Sequence, residues 1–401
     1  MEPFRLLHTS DWHLGQNLMG KSRQAEHEAF IAWLVDTVNA EGIHAVIVAG
    51  DIFDTGAPPS YARALYNQAA EALADVGCEL VLVAGNHDSV AVLAENQGLL
   101  KRLKVHVIPA VAEDPESLVV PLHYPTGEMA CLVCALPFIR PRDLVRLNQE
   151  VQHEHIQSKM MEAIQHYYQA VYEAALAKGL AVPIVGTGHL TTFGAQLSES
   201  VRDIYVGSLA HFPVDAFPPF DYLALGHIHR AQAVGGTEHI RYSGSPIALS
   251  FDELGAAKQV LKVSLNGKET PLVQPIEVPQ FQPMRVLKGN LAQLRTAIEA
   301  LPTGETPLWV ELQVQEQDYL SDLHQRIAAM VEGKSVEVLR IRRMGVHGPK
   351  GAVRQANETL EELQHGDVFA RRLSETDLTA EQVHTLTALY KQVVQELEET
   401  P

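Results

Sequence analysis

Three cysteines among 401 residues are too few, and odd in number, for a disulfide framework. Cys131 and Cys134 form a C-x-x-C inside the apolar run Ala130–Leu136, so they read as strand packing rather than a zinc or redox site; Cys78 reads as core. No apolar stretch approaches the roughly 20 residues needed to span a bilayer, which argues against a membrane helix. A core strand is expected from Phe4, leaving no room for a signal peptide, and a cytoplasmic location follows as the expectation. Positive charge is scarce: 31 Lys and Arg face 49 Asp and Glu, for a net charge of −18. A protein that simply coats DNA should be basic, so composition alone does not suggest a nucleic-acid partner. The basic groups at Lys101–Lys104, Arg140–Arg142 and Arg340–Arg343 read first as solvated faces. No G-x-x-x-x-G-K-[ST] occurs, so any ATP dependence must come from another polypeptide. Internal repeats and low-complexity tracts are lacking too. What remains is a globular composition, 46% hydrophobic and 20% charged, in a chain long enough for two or more domains.

What the chain does have is a set of five short patterns, each placed just after an apolar run. They are Asp11-Trp12-His13, Gly50-Asp51-Ile52-Phe53-Asp54, Gly85-Asn86-His87-Asp88, Gly188-His189 and Gly226-His227-Ile228-His229. The preceding runs, such as Ile43–Ala49 and Glu79–Ala84, are short and rich in Val, Ile and Leu, which reads as strands buried on both faces. Between them lie helical patterns. Ser22 is placed to cap a helix carrying Phe30, Trp33, Leu34 and Val38, stopped near Gly42. Alternating strands and helices predict an α/β fold with a mainly parallel sheet, whose carboxyl edge gathers strand-end loops into one crevice.

Divalent ions that assist phosphate-ester hydrolysis act in pairs about 3.5–4 Å apart and need a shared carboxylate. Asp51 is the natural bridge. Asp11, His13 and His229 would complete one ion's shell; Asn86, His189 and His227 would complete the other's. Side chains two apart at a strand end point the same way, which suits His227 and His229. Mixed imidazole and carboxylate donors favour manganese, iron or zinc over magnesium, and manganese is the expectation. His87 is then left as a candidate catalytic cation, with Asp88 expected to orient its ring. Asp54 reads as a loop support. The same metal site would also serve a phosphatase or a cyclic-nucleotide phosphodiesterase.

With these residues in view, the motif set resembles the calcineurin-like metallophosphoesterase superfamily. The segments Leu7–Gly15, Ala49–Gly56, Gly85–Ser89, Thr187–Thr191, Ala224–Arg230 and Tyr242–Pro246 are similar to the double-strand-break repair nuclease family that includes the nuclease subunits of bacterial SbcCD complexes. The resemblance implies a metallophosphoesterase β-sandwich flanked by helices, and a manganese-dependent nuclease that degrades double-stranded DNA from 3′ ends. It implies endonucleolytic cutting of hairpins and single strands, in DNA end processing, repair and recombination. It also implies a homodimer bound to two SbcC ATPase subunits, a heterotetramer. Each family metal ligand has a counterpart among the seven residues above. Asp54 departs from the pattern, standing where several distant relatives carry a histidine.

After Pro279 the texture changes. Strand and helix patterns alternate from Met284 to Ile341, predicting a small separate α/β domain over 280–345, following a phosphoesterase domain over 1–279. The resemblance implies that it caps the metals and steers DNA, with Arg340, Arg342 and Arg343 as phosphate contacts. Residues 346–401 read as helices with unpartnered apolar stripes, and the resemblance implies docking on the coiled-coil base of SbcC.

Overall fold

The computed structural model describes residues 2–140, 143, 156–196, 198, 211–267, 269–301, 304, 306–315, 322–344, 369, 373, 382 and 385–390. The Val- and Ile-rich runs form strands, but in two sheets rather than one. The chain first lays down β1 (Phe4–Thr9), β2 (Ala45–Ala49), β3 (Glu79–Val83) and β4 (Val105–Ile108), all parallel. It then builds a second sheet from β5 (Val119–His123), β6 (Met129–Cys134), β7 (Ile184–His189), β8 (Tyr222–Gly226), β9 (Gln232–Ala233) and β10 (Ile240–Tyr242). Finally β11 (Gln259–Leu265) and β12 (Leu272–Glu277) return to the first sheet, where β11 pairs antiparallel with β1. The running orders are β12-β11-β1-β2-β3-β4 and β9-β10-β8-β7-β6-β5. The second sheet thus has a parallel centre and antiparallel pairs at both margins, whereas the first is antiparallel only at its β11–β12 margin and parallel through to β4.

The two inner faces share one core. Phe4, Leu6, Ile47 and Val81 from the first sheet meet Cys131, Val133, Val185 and Ala224 from the second. Cys131 and Cys134 are buried free thiols, as is Cys78. Helices α1 (Gln24–Ala40) and α2 (Ser60–Asp75) cover the outer face of the first sheet, while α3 (Ile156–Ala177) covers the second. Phe30, Leu34 and Val38 of α1 are buried as their spacing predicts, each burial contributing about 1.5–3 kcal/mol. The cap differs from expectation: Arg23 occupies the N-cap position, and Ser22 Oγ accepts from Gln24 N at 3.3 Å. Arg23 is drawn inward instead, to the Glu26 carboxylate, Gln16 Oε1 and the Ala248 carbonyl.

A third sheet holds β13 (Met284–Gly289), β14 (Leu308–Val314) and β15 (Val336–Arg343), all parallel, with α4 (Leu291–Glu299) and α5 (Leu323–Val331) on one face. Its own core contains Leu294, Ile298, Val310, Leu312 and Ile327. On the other face, Met284 and Trp309 pack against Leu18 and Phe251 of the phosphoesterase body. Most of the segment expected to dock a partner, 346–401, lies outside the described residues. Within it, residues 385–390 are helical, and the rings of Phe369 and Tyr390 stack with centroids 4.0 Å apart. Among the described residues no helix is long and apolar enough to cross a membrane.

Candidate metal centre

All seven candidate ligands follow the carboxyl ends of parallel strands: Asp11 and His13 after β1, Asp51 after β2, Asn86 after β3, His189 ending β7, His227 and His229 after β8. Because β2 and β8 lie on facing sheets, ends more than 170 positions apart in the chain come together. The donor atoms of Asp11, His13 and His229 lie within 4.8 Å of one another, as do those of Asp51, His189 and His227. Asn86 joins the second group, its Oδ1 lying 2.9 Å from His189 Nε2 and 3.2 Å from His227 Nδ1. Asp51 stands between the groups: Oδ2 is 3.2 Å from His189 Nε2 and 3.6 Å from His13 Nε2. Its other oxygen accepts from His87 N at 2.9 Å, so one oxygen is anchored while the second faces both pockets.

The hydrogen bonds behind the rings determine which nitrogen is available. A carboxylate or carbonyl oxygen only accepts, so a ring nitrogen bonded to it must carry the hydrogen, leaving the opposite nitrogen as the donor atom for an ion. His13 Nδ1 donates to Asp54 Oδ1 at 3.0 Å, and His229 Nδ1 to Glu253 Oε1 at 3.2 Å. His189 Nδ1 donates to the Ala49 carbonyl at 2.9 Å. Asp54 is therefore the support of a candidate ligand. Glu253 has no counterpart in the sequence expectations; it lies on the turn Phe251–Gly255, where no local pattern marks it as inward-facing, yet it is 6% exposed.

Three observations show that this set fits divalent cations. His13 Nε2 and His227 Nε2 are buried with no hydrogen-bond partner, a costly state for a polar atom unless something binds nearby. Asp11, His13, Asp51 and His227 all adopt positive φ, between 46° and 90°, a strained backbone concentrated on candidate ligands. Finally, Gly85 leaves room for the bridge, since a Cβ there would lie 2.1 Å from Asp51 Oδ1.

The electrostatics agree. Burial resists ionisation of Asp51, but His189 and its neighbouring imidazoles hold its carboxyl well below the usual range. Burial also opposes a charge on His189, and the Asp51 carboxylate overcomes it, raising the pKa to about 9. Burial, reinforced by the charge on His189, pushes His227 well below the ordinary histidine value. The anionic bridge is the group on which a cation would replace these protons.

Asp88 departs from the expectation that it orients the His87 ring. His87 Nδ1 donates to the Asp54 carbonyl at 2.7 Å, and its ring sits edge-on to His13 with centroids 4.8 Å apart. Asp88 turns inward instead, accepting from the backbone N–H groups of Ile52, Phe53 and Gly85 at 3.1, 2.9 and 2.8 Å. Burial and the Asp51 charge raise its pKa to about 6. Its work is to tie the Gly85–Asp88 loop to the Asp51–Asp54 loop, while a carbonyl orients the His87 ring.

The three arginines stand on β15 of the third sheet, not at the strand ends that carry the seven residues. Arg340 Nη1 lies 3.5 Å from the buried Glu311 carboxylate. Arg342 lines a cleft of about 540 Å³ between the Phe251–Gly255 turn and β13–β15, together with Arg285 and Lys288. Arg343 is exposed at the strand end.

The amino-acid sequence matches known proteins along nearly its whole length. Residues 4–231 match the calcineurin-like phosphoesterase family, and residues 280–377 match the Type 5 capsule protein repressor C-terminal domain. The SbcD subunit of the SbcCD nuclease of Escherichia coli (strain K12) is 45% identical over 390 residues, covering 96% of each chain. The chain belongs to this nuclease family. The corresponding SbcCD nuclease subunits of Rhodobacter capsulatus and Bacillus subtilis are 36% and 32% identical over 76% and 79% of this chain, and 77% and 80% of their own. A calcineurin-like fold, divalent-metal dependence and phosphodiester hydrolysis follow from membership. The two matched regions meet where Met284 and Trp309 pack with Leu18, and Phe251, which lies between those regions in the chain, completes the cluster.

Proposed function

We propose that this chain is the nuclease subunit of an SbcCD-type complex, hydrolysing double-stranded DNA from 3′ ends and opening hairpins and single strands endonucleolytically. Two manganese ions serve it, one held by Asp11, His13 and His229, the other by Asn86, His189 and His227, with Asp51 shared. The position of Asp51 Oδ2 between the two pockets carries this reading, because a single carboxylate oxygen facing both donor groups is what a paired centre requires. Relatives named as SbcCD nuclease subunits support the assignment to DNA and to an SbcC-type ATPase partner. Residues 1–279 form the catalytic unit, 280–345 a cap whose Arg340, Arg342 and Arg343 steer phosphates, and 346–401 the partner-binding segment, in a cytoplasmic heterotetramer built on a homodimer.

When bound, such ions supply a hydroxide near neutral pH and neutralise charge building on the phosphorus oxygens. The chain's own residues prepare the rest. Asp51 is held in place by the His87 amide, and Asp88 locks the two loops that carry Asp51 and His87. The half-buried His87 ring is fixed through Nδ1 on the Asp54 carbonyl, and as an imidazolium it would donate from Nε2 to the phosphoryl oxygens or give that proton to the departing sugar oxygen. His87→Gln is expected to lower the hydrolytic rate by about 10²–10⁴-fold, the usual contribution of a positioned proton donor, with metal content unchanged by elemental analysis. Full rate in that variant would remove His87 from the chemistry.

Substrate class is tested by incubating the purified protein with manganese and either end-labelled duplex DNA or a small aryl phosphodiester. Cleavage of the duplex is the expected result. Hydrolysis of the aryl ester while duplex DNA stays intact, even beside the ATPase partner, would make the chain a small-molecule phosphoesterase.

A further inference from the structure

We propose that Glu253, with Asp54, makes the Asp11–His13–His229 pocket the tighter of the two cation positions, leaving the Asn86–His189–His227 pocket to exchange its ion more readily. The inference rests on the two-ion reading above and concerns how those two positions differ. Every imidazole of the first pocket is backed by a carboxylate: His13 by Asp54 and His229 by Glu253. In the second pocket His189 is backed by a neutral carbonyl, that of Ala49, and His227 Nε2, the nitrogen opposite the one that meets Asn86 Oδ1, has no hydrogen-bond partner behind it. A carboxylate behind a ligating imidazole fixes its tautomer and pushes electron density onto the opposite nitrogen, strengthening it as a donor. Direct ligands add to the difference, since Asp11 contributes a carboxylate to the first pocket where Asn86 contributes an uncharged oxygen to the second. Hard divalent cations favour the more anionic set.

Glu253 is built for this task. It is buried, and its second oxygen accepts from Ser245 Oγ and Leu249 N, both at 3.1 Å, and from Lys258 Nζ. Lys258 Nζ also donates to Ser245 Oγ at 2.7 Å and to the His229 carbonyl at 3.1 Å. The lysine compensates the buried charge, while the first oxygen stays directed at His229 Nδ1. Lys258 also holds the backbone of the very residue that Glu253 orients, so ring and main chain are fixed together.

Equilibrium manganese titration of the full chain, followed by the paramagnetic resonance of free Mn²⁺, tests the assignment without reference to activity. Wild-type protein should take up two ions with separable affinities. Asn86→Ala should abolish the weaker class and leave the tighter one intact. Glu253→Gln should weaken the tighter class by about 10–100-fold, the usual cost of removing a group behind a ligand. If burial makes that variant fail to fold, Asp54→Asn carries the comparison, because the Asp54 side chain is 27% exposed, and it should shift the same class. Loss of the tighter class in Asn86→Ala, or an unchanged tighter class in both carboxylate variants, overturns the proposal. Uptake of a single ion by wild-type protein would overturn the two-ion reading itself, and the affinity order with it.

Discussion

Asp51→Ala is expected to strip both ions from the protein and to lower phosphodiester hydrolysis by about 10³-fold or more, since paired ions supply several kcal/mol of transition-state stabilisation. The size of the effect comes from position. One oxygen of Asp51 faces His189 and His13 together, so its removal takes a charge from both pockets at once. The other oxygen holds His87 N, so the loop that carries Asn86 and His87 loses an anchor too. Removing one carboxylate also leaves His189 without the charge that keeps its ring protonated in the metal-free centre. Elemental analysis after gel filtration, alongside cleavage of end-labelled duplex, gives the readout. Two tightly retained ions in the variant would end the assignment of Asp51 as bridge. Asp51→Asn separates charge from shape: the amide keeps an acceptor for His87 N, so a loss as deep as that of Asp51→Ala would locate the effect in the charge.

Much of this candidate centre is legible in the sequence because the proposed ligands lie within a few residues of strand ends, and strand ends are marked by local signals. An apolar run followed by glycine or a polar pair reports the end of a buried strand whatever else the chain does, which is why Asp11, Asp51, Asn86, His189 and His227 all stand at strand ends as their patterns predict. What is lost is information about long-range pairing. The runs Ala45–Ala49 and Ile184–His189 look alike in isolation, and nothing local says that they belong to different sheets. The return of β11 to pair antiparallel with β1 joins residues more than 250 positions apart, and no local residue pattern announces it. Asp88 misleads for a related reason. Sequence neighbours in a tight loop point in different directions, so the carboxylate beside His87 serves three buried amides while the ring finds a carbonyl 33 positions away. Glu253 was invisible on the same grounds, being an acidic residue on a short turn whose inward direction is decided by Lys258 and Ser245.

Gly226→Ala is expected to be the most damaging substitution at a position that is not itself a proposed ligand. A methyl group at position 226 would lie 1.8 Å from the Ala49 carbonyl oxygen and 2.9 Å from His189 Nδ1. The first neighbour is main chain at the end of β2 and has no rotamer through which to escape. The strand end carrying Asp51 and the strand end carrying His227 would have to separate, although both belong to buried strands. Overpacking of a close-packed interior typically costs 1–3 kcal/mol, and a clash with backbone belongs at or above the upper end, so about 3 kcal/mol or more is expected in chemical denaturation. The carbonyl that would be displaced is the one that accepts from His189 Nδ1, so the same methyl disturbs the orientation of a ligand ring. Stability and metal uptake should therefore fall together. A variant that lost stability but still bound both ions with wild-type affinity would show that the two sheet ends can part without moving the ligands. In that case the approach of β2 to β8 would be a packing requirement alone, and the centre would be held by the loops that follow the strands.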